Sequence, residues 1–112
     1  MRRWGIAGVV IGQAVAIVAS SHFAAGAGNV EVRVFQFRPG RVAVAAGAAV
    51  TWVNQDEIAH TVTSGTPESP GGAFDERLAD KGASATVTFA RPGVYPYFCR
   101  RHQAMRGEIR VQ

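Results

Sequence analysis

Between Val30 and Val111 apolar side chains recur at every second position in short runs, and turn residues separate the runs. Val30, Val32 and Val34 alternate with Glu31 and Arg33, and Val42 and Val44 resume the pattern after the turn Arg38-Pro39-Gly40. Val50 and Trp52 flank Thr51, and His60-Thr61-Val62-Thr63 is a further β-rich segment. Ala85, Val87 and Phe89 alternate with Ser84, Thr86 and Thr88. Arg91-Pro92-Gly93 then turns the chain into Val94 to Cys99, and Ile109 and Val111 alternate with Glu108 and Arg110. Gly65 to Gly72, with Pro67 and Pro70, reads as the longest loop. Successive side chains of an extended strand point to opposite faces, so each run has one face to bury and one to leave in water. Seven or eight such strands, with no helical period and no internal repeat, predict an all-β fold: an antiparallel Greek-key sandwich of two sheets. Pro96 stands out, because proline removes a ladder hydrogen bond; it marks a bulge or an edge position just before Cys99.

The first 27 residues follow a different rule. Met1-Arg2-Arg3 is a positive start, Gly5 to Ala19 is apolar apart from Gln13, and Ala25-Gly26-Ala27 fits the small-x-small pattern of a cleavage site. Residues 1–27 are expected to be a cleaved signal peptide, with Ala25 as a competing cleavage point and a retained anchor as the competing reading. An apolar run of about 15 residues falls short of the roughly 20 that a bilayer span needs. The Arg2-Arg3 pair is a weak hint of twin-arginine export. Residues 28–112 form the expected domain, periplasmic or otherwise exported, with no stable membrane insertion after cleavage.

Removing 27 of the 112 residues leaves 85, a size at which small folds often gain stability from a disulfide or a metal. Cys99 is the only cysteine, which excludes a disulfide within the chain. The 12 basic residues become 10 without Arg2 and Arg3, against 8 acidic ones. That balance, with no basic stripe interleaved with aromatics, argues against nucleic acid as a partner. The segment also lacks a phosphate-cradling glycine loop.

The segment Cys99-Arg100-Arg101-His102-Gln103-Ala104-Met105 spaces a thiol, an imidazole and a thioether at three-residue intervals between two strands. His60 follows the loop that begins at Asn54. With His22 and Met1 in the segment expected to be removed, His60, Cys99, His102 and Met105 are all the soft or borderline ligands left. Two imidazoles, a thiolate and a weak thioether match the trigonal donor set of blue-copper electron-transfer centres. Each residue alone has a plainer reading: Cys99 a buried thiol, His60 a surface histidine, Met105 core filler, Asn54 a turn residue. Zinc would also bind such a set in vitro.

The run from Gly93 to Gly107 resembles the ligand segment of the cupredoxins, the type 1 blue copper proteins, among them the amicyanin and plastocyanin-like members, and its Cys-x2-His-x2-Met spacing looks like amicyanin specifically, since plastocyanin and pseudoazurin have longer His-to-Met spacings. Val50-Thr51-Trp52-Val53-Asn54, with His60 six residues past Asn54, is similar to the segment carrying the family's first histidine. The resemblance implies that His60, Cys99 and His102 are the in-plane ligands of one copper, with Met105 axial. It further implies that Asn54 lies outside the ligand set, hydrogen-bonding near the Cys99 sulfur, and that His102 is the partly exposed port for electrons, among small surface residues such as Ala59 and Ala104. Where amicyanin-like loops carry prolines, this chain has Arg100, Arg101, Gln103 and Ala104, so the loop is expected to be less rigid and its docking face basic. Arg100 and Arg101 read equally well as a solvated pair.

These readings predict no enzyme but a monomeric electron shuttle that docks transiently, near His102, on a redox donor and acceptor with acidic faces. The competing function is a copper storage or delivery protein of the cell envelope, against which stands the lack of Met- or His-rich tracts.

Overall fold

The computed structural model describes residues 27–112; the expected signal peptide lies, but for its final residue, outside the described residues. Nine strands occur among the described residues: β1 (Gly28–Arg33), β2 (Gln36–Arg38), β3 (Arg41–Val44), β4 (Ala49–Asn54), β5 (His60–Thr66), β6 (Ser69–Leu78), β7 (Ser84–Thr88), β8 (Gly93–Phe98) and β9 (Arg106–Val111). They form two sheets, ordered β2-β1-β4-β7 and β3-β9-β8-β5-β6. The all-β sandwich expected from the alternation is therefore present. Two pairings differ from the antiparallel expectation: β1 runs parallel to β4, and β3 parallel to β9. Parallel neighbours need a crossover, and here β3 supplies it by leaving the sheet of β1 and β4 for the opposite one.

Burial follows the period of two. In β1 Gly28, Val30 and Val32 face inward, and in β4 Val50, Trp52 and Asn54 do. Val62, Leu78, Tyr97 and Ile109 cover them from the second sheet. Trp52 stands at the centre, meeting Tyr97 edge to face at 5.3 Å and Phe74 at 6.0 Å. The Tyr97 ring lies across Gly107, where any side chain would collide with it. Neither the Tyr97 hydroxyl nor the Trp52 indole N–H has a hydrogen-bond partner. Burial pushes the Tyr97 phenol up to about 12, and the nearby indole N–H tempers that rise only weakly.

Two segments differ from the sequence reading, whereas Pro96 falls where it was expected. Val34 does not continue β1; with Phe35 it makes a two-residue turn into β2, and both residues have positive φ, 53° and 57°. The stretch from Gly65 to Gly72 is not an open loop but the tip of the β5–β6 hairpin, closed by Pro67 and Glu68. Strand pairing persists there because Gly65 adopts φ 94° at a register shift and packs its backbone on Gly71, leaving no room for a side chain. Pro96 is exposed at an edge position: it pairs with Glu108 of β9, and the ladder to β5 starts one residue later, at Tyr97.

Candidate metal centre

Three of the four proposed donors come from the ends of adjacent strands. β5 and β8 pair antiparallel through Thr63↔Phe98 and Ser64↔Tyr97. Continuing that register sets Thr61 beside Arg100, whose N–H donates to Thr61 Oγ1 at 2.9 Å. His60, at the start of β5, thus faces the residues that follow β8. The loop after Cys99 folds back on itself: Met105 N–H donates to the His102 carbonyl at 2.8 Å, and Cys99 N–H to the Met105 carbonyl at 3.1 Å. This closure returns the chain to β9, and Met105 is buried there.

The donor atoms converge accordingly. Cys99 Sγ lies 3.7 Å from His60 Nδ1 and 4.0 Å from His102 Nδ1, and all three atoms fall within 4.8 Å of one another. Donors about 2.0–2.3 Å from a shared first-row ion at trigonal angles would stand about 3.8 Å apart, so the spacing fits one ion. Cys99 and His60 are fully buried, Met105 is buried, and His102 alone is partly exposed. Buried soft donors with two imidazoles and no carboxylate in the cluster suit copper by their chemistry.

The surroundings differ in part from expectation. Asn54 does not reach the sulfur. Its Nδ2 donates to the carbonyls of Ile58 (2.9 Å) and Leu78 (3.3 Å), and its Oδ1 accepts from Asp56 N–H (2.9 Å). It shapes the loop that delivers His60. The group that reaches Cys99 Sγ is the Thr61 N–H, at 3.4 Å; the β5–β8 register sets Thr61 opposite Arg100, one residue past the thiol. Of the two alanines expected near His102, Ala104 is exposed but Ala59 is buried; the large side chain against the imidazole is Phe35, 4.9 Å away edge to face.

Two polar systems were missed in the sequence. His60 Nε2, the nitrogen turned away from the thiol, donates to Asp56 Oδ2 at 2.8 Å. That bond fixes the tautomer and leaves Nδ1 with a free lone pair for a metal. Burial would raise the Asp56 carboxyl, but the Phe35 and Val34 N–H groups and His60 together hold it below its ordinary value. The second system braces the thiol loop. Thr63 Oγ1 donates to Asp75 Oδ1 at 2.8 Å and meets Thr61 Oγ1 at 2.9 Å, and the Arg100 guanidinium reaches Asp75 at 3.2 and 3.4 Å. Hydrogen bonds from Thr63, then from Arg100, lower the Asp75 carboxyl below its usual range. A loop without prolines is thereby tied to β5 and β6 by side chains. An aspartate four residues before a histidine was the available signal for the first system; nothing local marks Asp75.

Comparison with known proteins agrees with this geometry. Residues 24–112 match the family described as copper binding proteins, plastocyanin/azurin family. The chain is 38% identical over 84 residues to a plastocyanin of Scenedesmus fuscus, covering 68% of this chain and 86% of that protein. It is 30% identical over 95 residues to an amicyanin of Paracoccus versutus, covering 85% of this chain and 72% of that protein. Among solved structures, a purple cupredoxin from Nitrosopumilus maritimus shares the fold at TM-score 0.70 and 21% identity, over 76% of this chain and 99% of the other. The amicyanin of Paracoccus versutus superposes at TM-score 0.65 and 28% identity, over 77% and 81%. With the donor set, the sandwich and the matched sequence in agreement, the chain belongs to the plastocyanin/azurin family of copper binding proteins.

Proposed function

We propose that this protein is a small type 1 copper protein that shuttles single electrons between redox partners by cycling between Cu(II) and Cu(I). The observation that carries the reading is the convergence of His60 Nδ1, His102 Nδ1 and Cys99 Sγ within 4.8 Å of one another, with Met105 buried and its carbonyl bonded to the Cys99 N–H. His60, Cys99, His102 and Met105 would hold the ion. When bound, copper supplies a centre that gains or loses one electron. The chain's own part is to hold soft and nitrogen donors in one arrangement that suits both oxidation states, which keeps rearrangement small. Asp56 on one side and Thr61 on the other restrain His60 and Cys99 for that purpose. His60, Cys99 and His102 form the one such donor cluster among the described residues, which fits a single working ion better than storage.

His102 is the port, and the surface beside it sets the docking chemistry. Phe35 is exposed against His102, Val34 precedes it in the same turn, and Ile58 is exposed in the loop before His60. Arg101 is exposed, whereas Arg100 is partnered by Asp75. The face is therefore an apolar patch with a modest positive rim. It suits a small, transient contact under about 1,200 Å² with a donor or acceptor carrying apolar and acidic groups. The chain acts as an exported monomer after removal of residues 1–27. Titrating the full chain with Cu(II) should give an intense blue absorption that saturates at one ion per chain, and Cys99→Ser should abolish the colour. Stoichiometric copper without colour in the unmodified chain would exclude this function.

A further inference from the structure

Val34 and Phe35 are an unusual pair for the turn they occupy. A two-residue hairpin turn with positive φ at both positions is normally built from Asn-Gly or Gly-rich pairs, and a β-branched residue in that region is a genuine outlier. Here φ is 53° at Val34 and 57° at Phe35. Core packing does not explain the choice, because Val34 is 62% exposed and Phe35 49% exposed. Something must hold the strained backbone, and Asp56 does: Oδ1 accepts from Val34 N–H at 2.8 Å and Oδ2 from Phe35 N–H at 3.1 Å. The same Oδ2 accepts from His60 Nε2 at 2.8 Å. The turn in return sets the Phe35 ring edge-on against both imidazoles, 5.6 Å from His60 and 4.9 Å from His102. Backbone, carboxylate, imidazole and ring thus form a closed circuit of contacts.

We propose that Asp56 is a positioning residue that couples the Val34–Phe35 turn to the orientation of His60, so that a partner pressing on Phe35 is felt at the metal-binding imidazole. The proposal rests on the copper reading above. A carboxylate is suited to the task because it presents acceptors only, and three N–H groups converge on it. Asparagine in its place has one acceptor oxygen and a donor NH2, so it cannot satisfy the turn and His60 together. Coupling of this kind is reciprocal: if the turn biases His60, fixing His60 on a metal must tighten the turn.

The experiment is amide hydrogen exchange at Val34 and Phe35 in the full chain, metal-free and loaded with diamagnetic Cu(I), alongside Cu(II) affinity by chelator competition. Exchange at both amides should slow about tenfold on loading in the unmodified chain. In Asp56→Asn the metal dependence should vanish and Cu(II) affinity should fall about 10- to 100-fold, with Asp56→Glu restoring part of both. A chain that turns blue yet shows metal-independent exchange at these two amides overturns the proposal while leaving the copper reading intact, and needs no variant to fold. So does an Asp56→Asn protein with unchanged affinity and unchanged exchange. A chain that takes up no copper overturns the copper reading and this proposal with it.

Discussion

Replacing Tyr97 by phenylalanine removes a single oxygen from the centre of the fold. Tyr97 is 1% exposed and its hydroxyl has no hydrogen-bond partner. Burying a hydroxyl unpaired costs about 1–3 kcal/mol, so Tyr97→Phe should at pH 7 be neutral or stabilising by about 1 kcal/mol, less what the small void beside Gly107 forfeits. For a domain of this size about 1 kcal/mol moves Tm by roughly 4–8 °C. The larger effect is at high pH. Burial pushes the phenol up to about 12 in the folded chain, against 10.0 for a solvated tyrosine. Below pH 10 both states keep the proton and Tyr97 confers no pH dependence. Between 10 and 12 the unfolded chain releases the proton and the folded one does not, so stability falls by about 1.4 kcal/mol per pH unit. At pH 11.5 the loss from this one residue is about 2 kcal/mol, and Tyr97→Phe should escape it. Urea unfolding of both proteins at pH 7 and pH 11.5 isolates the difference, since every other titrating group is common to them. Identical pH dependence, or a variant weaker than the parent by more than about 1 kcal/mol at pH 7, would refute the view of Tyr97 as an unpartnered buried phenol.

Two further outcomes follow from the geometry. Met105→Leu should leave a blue protein whose reduction potential is raised, because a thioether that would hold the oxidised ion is gone; an unchanged potential in voltammetry would place Met105 in the core alone. Gly65→Ala should destabilise by about 3 kcal/mol in urea melts, combining the cost of a side chain at positive φ with overpacking against Gly71 and Pro70. A loss under about 1 kcal/mol would mean the hairpin tip can open there without consequence.

The four candidate ligands were legible because thiol, imidazole and thioether at fixed spacing have few other uses together, and because no other residue competed for the ion. Strands with two-sided environments were legible too: Val30 and Val32, Val50 and Trp52, or Ile109 and Val111 carry the period of two on their own. β6 was not. It lies at a sheet edge and buries only Phe74 and Leu78, four residues apart, so its alternation is lost among exposed polar residues. Val34 was read as strand because valine favours strands; the tertiary hold of Asp56 on the turn overrides that preference. The roles of Thr61, Thr63 and Asp75 depend on the β5–β8 and β5–β6 registers, and register between distant segments is set by the assembled sheet rather than by local pattern. Asn54 was placed beside the sulfur by likeness, and its own loop claimed its hydrogen bonds first.

The β3–β9 pairing carries a consequence for how the molecule assembles. Arg41 aligns with Glu108 and Val44 with Val111, so the second sheet gains its outer strand only when segments from opposite ends of the domain meet. Such long-range closure slows folding relative to hairpin formation. β9 is also the strand onto which the thiol loop empties, held to β8 on its other side. β9 thus joins the outer strand of the second sheet to the loop that carries the thiol, and shortening it by a few residues should loosen both at once.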